Sequence, residues 1–359
     1  MHSRFRLPGP TPLPPAVFEA MQKPMIPHRG EGMKAIYRSI LDRAKIAHGT
    51  TGDIFIWPAS GSAGWEVAAV NLFSPGDTVI CAIGGDFGER FHRSAKALGL
   101  NVERLDVEWG QALTPEVLRA KLEVTPDARG VFLVHNETST GVTHPIEQLA
   151  AVVREFDALV VVDAVSSAAG IDIKMDLWGI DYVMSGSQKA WMCPPGLLIT
   201  AVGERCWPAF ERSTYKRFFW NFGAMREAAA EGATPTTPPL SLLYAFDAAL
   251  DLILSEGLEQ VYARHAALGA QMRAGVLGLG MTLFADQAYA SNTVTAVNVP
   301  GGTGAKELIR RLREEHGIDV AGGQAHTADS IIRVGHMGWC DAEDIEIVLD
   351  ALAEIVPTL

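Results

Sequence analysis

The 359-residue sequence predicts an α/β protein. A mostly parallel sheet covered by helices forms a large domain, and a smaller α+β domain follows it at the C-terminus. Three observations lead there. Short β-rich runs alternate with amphipathic stretches from about residue 36 to residue 239. The runs are continuous in Val, Ile and Leu, the pattern of strands buried on both faces. Beyond Pro239 that rhythm stops, and a long helical stretch is followed by short strands and two more helices.

The elements follow in order. Residues 1–15 read as an extended N-terminal arm, because Leu7-Pro8-Gly9-Pro10-Thr11-Pro12-Leu13-Pro14-Pro15 is too rich in proline for a helix or a central strand. Residues 16–255 make the large domain. Its strands are expected at 54–57, 78–82, 102–105, 130–134, 159–162, 182–184 and 197–201. Its helices are expected at 64–73, 89–98, 115–122 and 146–156. A helical stretch over 239–277 breaks at Gly257. Residues 256–359 make the small domain, with helices at 305–316 and 341–355.

Composition narrows the function. Hydrophobic residues are 48% and charged residues 20%, enough for a sizeable core. The net charge of -12 argues against nucleic acid or an anionic membrane as partner. An anionic ligand therefore needs a local positive site. Cys81, Cys193, Cys206 and Cys340 are far apart and form no CxxC pair, so neither a metal site nor a disulfide framework is expected. A reducing cytoplasm fits that usage. The first fifteen residues lack the apolar core of a signal peptide, and no apolar run approaches the ~20 residues of a membrane span.

The chemistry gathers where apolar runs end. Lys189 closes Ser185-Gly186-Ser187-Gln188-Lys189, directly after the run Asp181-Tyr182-Val183-Met184. Asp163 ends Leu159-Val160-Val161-Val162. A lysine amine there can form a Schiff base, and a carboxylate there can pair with a protonated ring nitrogen. Those are the two groups that pyridoxal phosphate (PLP) requires. A surface lysine and an ordinary strand-end aspartate would look the same in isolation. Ser60-Gly61-Ser62 lies between a strand and a helix and reads as a phosphate cradle or as a plain turn. Phe87 in Gly84-Gly85-Asp86-Phe87-Gly88 either covers a flat ring or belongs to the core. His135-Asn136-Glu137-Thr138-Ser139-Thr140-Gly141 is densely polar where buried loops are costly, which points to ligand contacts through Thr138. His135 is equally a satisfied core histidine. Arg333, inside Ile331-Ile332-Arg333-Val334-Gly335-His336, is either a structural ion-pair residue or a fork for a substrate carboxylate.

These segments, in this order, resemble the class V, fold-type I PLP-dependent aminotransferases, and within them the alanine–glyoxylate, serine–pyruvate and serine–glyoxylate group. The resemblance rests on Pro8-Gly9-Pro10, Ser60-Gly61-Ser62, Asn136 to Val142, Asp163 to Ser167, Ser185 to Lys189 and Arg333 to His336, and covers essentially the whole chain. It implies a transaminase that moves an amino group from a small amino acid such as serine or alanine to glyoxylate or pyruvate. Lys189 would be the Schiff-base anchor and proton shuttle. Asp163 would hold the pyridine nitrogen, Val165 and Phe87 would pack on the ring, and Thr138 would lie at its phenolic oxygen. Ser60, Gly61, Ser62 and Gln188 would hold the phosphate. Arg333, helped by the backbone of Gly9, would bind the substrate carboxylate. The resemblance further implies a cytoplasmic homodimer whose partner supplies Thr237 to the phosphate. Many relatives carry a tyrosine just before that threonine, whereas this chain has Thr234, Pro235 and Thr236. Arg29 would read a distal substrate group or be a solvated arginine. Rival readings are a desulfurase or lyase using Cys193 or Cys340, a transaminase for aspartate, aminoethylphosphonate or pyridoxamine, and a PLP-binding protein without catalysis.

Overall fold

In the computed structural model, which describes residues 4–301 and 304–359, seven strands form one sheet. In chain order they are β1 (Asp53–Pro58), β2 (Thr78–Ile83), β3 (Asn101–Asp106), β4 (Gly130–Val134), β5 (Leu159–Asp163), β6 (Tyr182–Gly186) and β7 (Leu197–Val202). Across the sheet they run β1-β7-β6-β5-β4-β2-β3. The pairs β2–β3, β2–β4, β4–β5 and β5–β6 are parallel, while β7 runs antiparallel to both β1 and β6. Six strands therefore bring their carboxyl ends to one edge. The sheet is mostly parallel, as expected; which strand is reversed is not readable from the sequence, because a continuous apolar run reads the same in either direction.

Alternate side chains leave opposite faces of a strand. Ile80, Val131, Val160 and Val183 enter one core, and Val79, Phe132, Val161 and Met184 enter the other. Both faces are covered, which is why these runs are apolar throughout. One helix, Asp86–Ala97, begins at Asp86 and not at the expected Glu89. Its first turn is capped from a distance: the Glu137 carboxylate accepts the Phe87 and Gly88 N–H groups at 3.4 and 3.1 Å. Gly257, at φ 89°, separates the helices Leu240–Glu256 and Leu258–Gly278, a backbone setting that glycine tolerates and other residues rarely adopt.

A second, antiparallel sheet orders Thr282–Leu283, Val294–Asn298, Ile331–Gly335 and Ala321–Gly322. With the helices Ala305–His316 and Ala342–Ile355 it encloses a separate core around Leu308, Leu312, Ile332, Ile345 and Leu352. The N-terminal arm joins the two halves. Arg4–Phe5 pairs in parallel with Ile318–Asp319, and Arg6 is ion-paired to Asp344 at 3.2 Å. From there the arm crosses Gly335, whose missing Cβ would stand 2.2 Å from the Leu7 carbonyl oxygen, and reaches the edge of the large sheet. Among the described residues no helix is long and apolar enough to cross a membrane.

Candidate active site

β6 ends at Gly186, and the next turn delivers Lys189. Ser187 ties the neck of that loop: its hydroxyl donates to the Pro194 carbonyl at 2.6 Å and accepts the Leu197 N–H at 3.1 Å. Lys189 is only 8% exposed, and its Nζ donates to the Pro8 carbonyl of the arm. Burial, with the positive charge of Arg333 nearby, lowers its amine to about 8. Asp163 closes β5 on the neighbouring strand and is 3% exposed. Its Oδ2 accepts the Trp65 indole N–H at 2.8 Å, and its Oδ1 accepts the Val165 N–H at 2.9 Å. Burial outweighs both bonds and the Lys189 charge, so the carboxyl is pushed up to about 6.

Arg333 comes from the second sheet and is 7% exposed. Its Nε donates to Gly322 O at 2.7 Å, and its Nη1 donates to Thr138 O at 3.1 Å and to Gln324 Oε1 at 3.3 Å. All three acceptors are neutral, and burial brings the guanidinium down to about 10. Of the two readings of Arg333, the structural ion pair is absent among the described residues. Lys189, Asp163 and Arg333 thus share one locus as three buried ionisable groups, none with an ion-pair partner there. A buried charge without a counter-charge costs several kcal/mol. The arrangement is complementary to a cation at Asp163, an aldehyde at Lys189 and a carboxylate at Arg333.

Most of the remaining sequence candidates lie around these three, whereas Thr237 and Arg29 do not join them within the chain. Ser62 caps the helix Ala63–Leu72 without using its side chain, and the Ser60 and Ser62 residues are exposed at that N-terminus. A Cβ on Gly61 would lie 2.8 Å from Val165 Cγ2, so the turn beds directly on the half-buried Val165. Gln188 carries a buried amide oxygen without a hydrogen-bond partner. Phe87 is half-buried, with the Arg90 guanidinium 5.3 Å from its ring. Gly9, at φ 101°, lies on the lysine: a Cβ there would come within 2.5 Å of Lys189 Cδ. Thr138 is buried, and its hydroxyl donates to Ser166 Oγ at 2.7 Å, so its proton is already committed within the protein. His135 is buried, but its Nδ1 has no partner, so it is not a satisfied core histidine. Thr237 is exposed within its own chain, and the Thr234 hydroxyl is turned to Thr236 O at 2.7 Å. Arg29 is exposed.

Sequence reasoning missed four contributors. Trp65 holds Asp163, and Pro8 holds Lys189 through a carbonyl that any residue possesses. Ser166 binds Thr138 and Asn136, and Glu137 caps the helix that carries Phe87. The one legible signal was Trp65, an N–H donor one turn into a helix that starts at the cradle. The two thiols weighed as nucleophiles are disqualified by their settings: Cys340 is buried and pushed up to about 12, and burial raises Cys193 further still. A cavity of about 660 Å³ opens at the amino edge of the sheet, but its Asp77, Arg129 and Arg205 belong to ion pairs there. Ligands of such sheets bind at the carboxyl edge, where Lys189 stands.

Comparison with known proteins gives this constellation its setting. The family "Aminotransferase class-V" matches residues 5–348. The serine–glyoxylate aminotransferase of Arabidopsis thaliana is 35% identical, with 92% of this chain and 84% of that protein aligned. The L-aspartate–glyoxylate aminotransferase of Paracoccus denitrificans is 34% identical over 92% of this chain and 85% of that protein. Among solved structures, the alanine–glyoxylate aminotransferase of Nostoc sp. superposes with a TM-score of 0.95 at 30% identity, covering 99% of this chain and 95% of that one. The cofactor of that family suits the residues found here: a buried acceptor for a ring nitrogen, an amine of lowered basicity, and an unsatisfied amide beside a glycine turn. The chain belongs to the class V aminotransferases, and it is a PLP-dependent aminotransferase of the fold-type I architecture.

Proposed function

We propose that the chain transfers the amino group of a small amino acid to glyoxylate or pyruvate, at a site built on Lys189, Asp163 and Arg333. The observation that carries this reading is the convergence of these three buried, unpaired groups on one point. Serine, aspartate and alanine are the donors in the names of the three relatives, and glyoxylate is common to all of them. That supports a short 2-oxo acid as acceptor with a small amino acid as donor.

Bound PLP supplies an electron sink for the charge left on Cα when its proton is removed. The protein does the rest. Lys189 would take the Cα proton on Nζ and would deliver it to C4′ of the cofactor, two bonds from Cα; burial brings its basicity near the working pH, where such a base is most effective. Asp163, pressed into the same interior, would keep a proton on the ring nitrogen. Val165 and Phe87 would pack on the ring, with Thr138 near it. Ser60, Gly61, Ser62 and Gln188 would hold the phosphate, where the helix N-terminus favours negative charge. Arg333 is held in place by Gly322, Thr138 and Gln324, and grips the substrate carboxylate with its remaining donors. The arm at Pro8 and Gly9 covers the lysine and excludes water from it.

The phosphate site is open on one side, and Thr237 is exposed on a loop near Phe218, itself 90% exposed. Both features support a homodimer in which each copy lends Thr237 to the other. The division into an arm (1–15), a large domain (16–255) and a small domain (256–359) belongs to the same reading. The four free, buried cysteines suit a cytoplasmic setting. Reduction of the loaded protein with borohydride, followed by peptide mapping, should place the label on Lys189. A label on any other lysine would refute the site. Sedimentation should give a dimer or a higher even oligomer, and a fully active monomer would refute the shared site.

A further inference from the structure

We propose that Trp65 is a positioning residue for the reaction: its indole N–H holds the Asp163 carboxylate ionised and aimed at the ring nitrogen. This rests on the reading of Asp163 given above. The bond from Trp65 Nε1 to Asp163 Oδ2 is 2.8 Å, and both residues are buried. The other oxygen accepts the Val165 N–H at 2.9 Å. Two donors set at the two oxygens fix the plane of the carboxylate and leave lone pairs for a third, charged donor.

The indole itself has no freedom to turn away. It stacks on Phe91 at 5.9 Å with 23° between the rings, and Phe91 stacks on Phe132 at 4.5 Å. The helix turn that bears it is bedded on the sheet. The Tyr182 hydroxyl donates to Gly64 O at 3.0 Å, and a Cβ on Gly64 would lie 2.4 Å from Met184 Sδ. Trp65 is also three residues past Ser62, so one rigid turn of helix spans the phosphate cradle and the ring-nitrogen partner. The turn acts as a ruler between the two ends of the cofactor.

A bland account reverses the roles, with Asp163 merely satisfying a buried indole. A backbone carbonyl would satisfy an indole without burying a charge, and burying this carboxylate is costly. A neutral donor to a carboxylate favours its charged form, in opposition to burial. The titratable groups that face Asp163 are Lys189 and Tyr182, and the Tyr182 hydroxyl is engaged with Gly64. Trp65 and Val165 are therefore the neutral groups that sustain the charge.

The test is Trp65→Phe in the PLP-loaded enzyme. A hydrogen bond to a charged group is strong enough that kcat should fall on the order of ten- to a hundredfold. KM for the amino acid should stay within about twofold, because Arg333 is untouched. The pH midpoint of the visible band of lysine-bound cofactor should move upward, since a ring that loses its proton removes a positive charge beside the titrating nitrogen. Melting of the cofactor-free variant should stay close to wild type. Trp65→Met, which also lacks the donor but packs adaptably, should give the same split. Unchanged kcat and midpoint in the folded variants would overturn the proposal. So would a failure of both variants to fold, which would make Trp65 a core residue only. Asp163→Asn separates the two readings. If it leaves turnover intact, the role of Asp163 is wrong; if it abolishes turnover while Trp65→Phe resembles wild type, only the role of Trp65 is.

Discussion

On the outer face of the helix Ala305–His316, Arg310 reaches Glu307 at 2.6 Å and also Glu314, and Arg311 reaches Glu315 at 2.7 Å. At the carboxyl edge of the large sheet, Lys189, Asp163 and Arg333 lie buried with no ion-pair partner among the described residues. In these two places charge is paired where water already solvates it and unpaired where solvation is lost, although pairs with a buried member, such as Arg6–Asp344, occur elsewhere. Exposed pairs contribute little, because water and salt screen them and side-chain entropy opposes them. Unpaired buried charges destabilise the cofactor-free fold. A chain keeps them at that cost only where a ligand supplies the counter-charge, so the edge lacking pairs marks function better than any count of salt bridges.

That comparison can be broken in four places. Lys189→Ala should show the largest effect, with the amino-acid half-reaction slowed on the order of 10²–10⁴-fold. The cofactor-free form should melt no lower than wild type, since a buried amine of lowered basicity has been removed. A drop of several degrees in calorimetry would show that Lys189 stabilises the fold.

Asp163→Asn should come next, with turnover collapsing while PLP still binds. Its pH dependence has a definite sign. The Asp163 carboxyl sits at about 6 in the folded chain, raised by burial from its ordinary 3.8. Between those values the folded state binds more protons than the unfolded one, so this group's contribution to stability falls as pH rises. The melting advantage of the variant over wild type, both cofactor-free, should therefore grow from pH 4 to pH 6 and then level off. An advantage that shrinks over that range would mean the charge is paired after all.

Arg333→Lys keeps the charge and loses the fork. KM for the amino acid and for the keto acid should rise together, by about tenfold, as expected for loss of one charge-assisted bond. Steady-state kinetics in both directions checks this, and a rise in only one constant would break the shared carboxylate site. The smallest effect belongs to Arg310→Ala, which should leave both kcat and melting temperature at wild-type values. A clear loss of stability there would undo the contrast from its other side.

Much of this was legible in the sequence, for identifiable reasons. The central strands announced themselves because both faces of the sheet are covered there, leaving almost no polar positions to blur the runs, whereas the edge strand Asn101–Asp106 carries four polar residues and is largely exposed. Lys189, Asp163 and Arg333 stood out as charges at or inside such runs. The reversal of β7 was not legible, since direction leaves no trace in an apolar run. The true start of the helix Asp86–Ala97 depends on Glu137, a cap from far along the chain. Pro8 acts through its backbone carbonyl, which no residue type marks, and Trp65 was legible only as an N–H donor one turn past the cradle, since a hydropathy pattern counts it as apolar. The committed hydroxyl of Thr138 depends on Ser166, which no local motif links to it.

The N-terminal arm has a consequence for the order in which the site is assembled. Residues 4–11 precede everything they dock on: Gln188 and Lys189 come much later in the chain, and Ile318, Asp319 and Gly335 later still. The large sheet can close around both of its cores while the arm still waits, because those cores draw nothing from residues 4–11. The carbonyl that receives the Lys189 amine therefore precedes that lysine by 181 residues, and the first residues of its arm find their partners only from residue 317 onward. Until the second sheet has emerged the arm lacks the partners that anchor it there, so the cover over Lys189 depends on both distant segments being present.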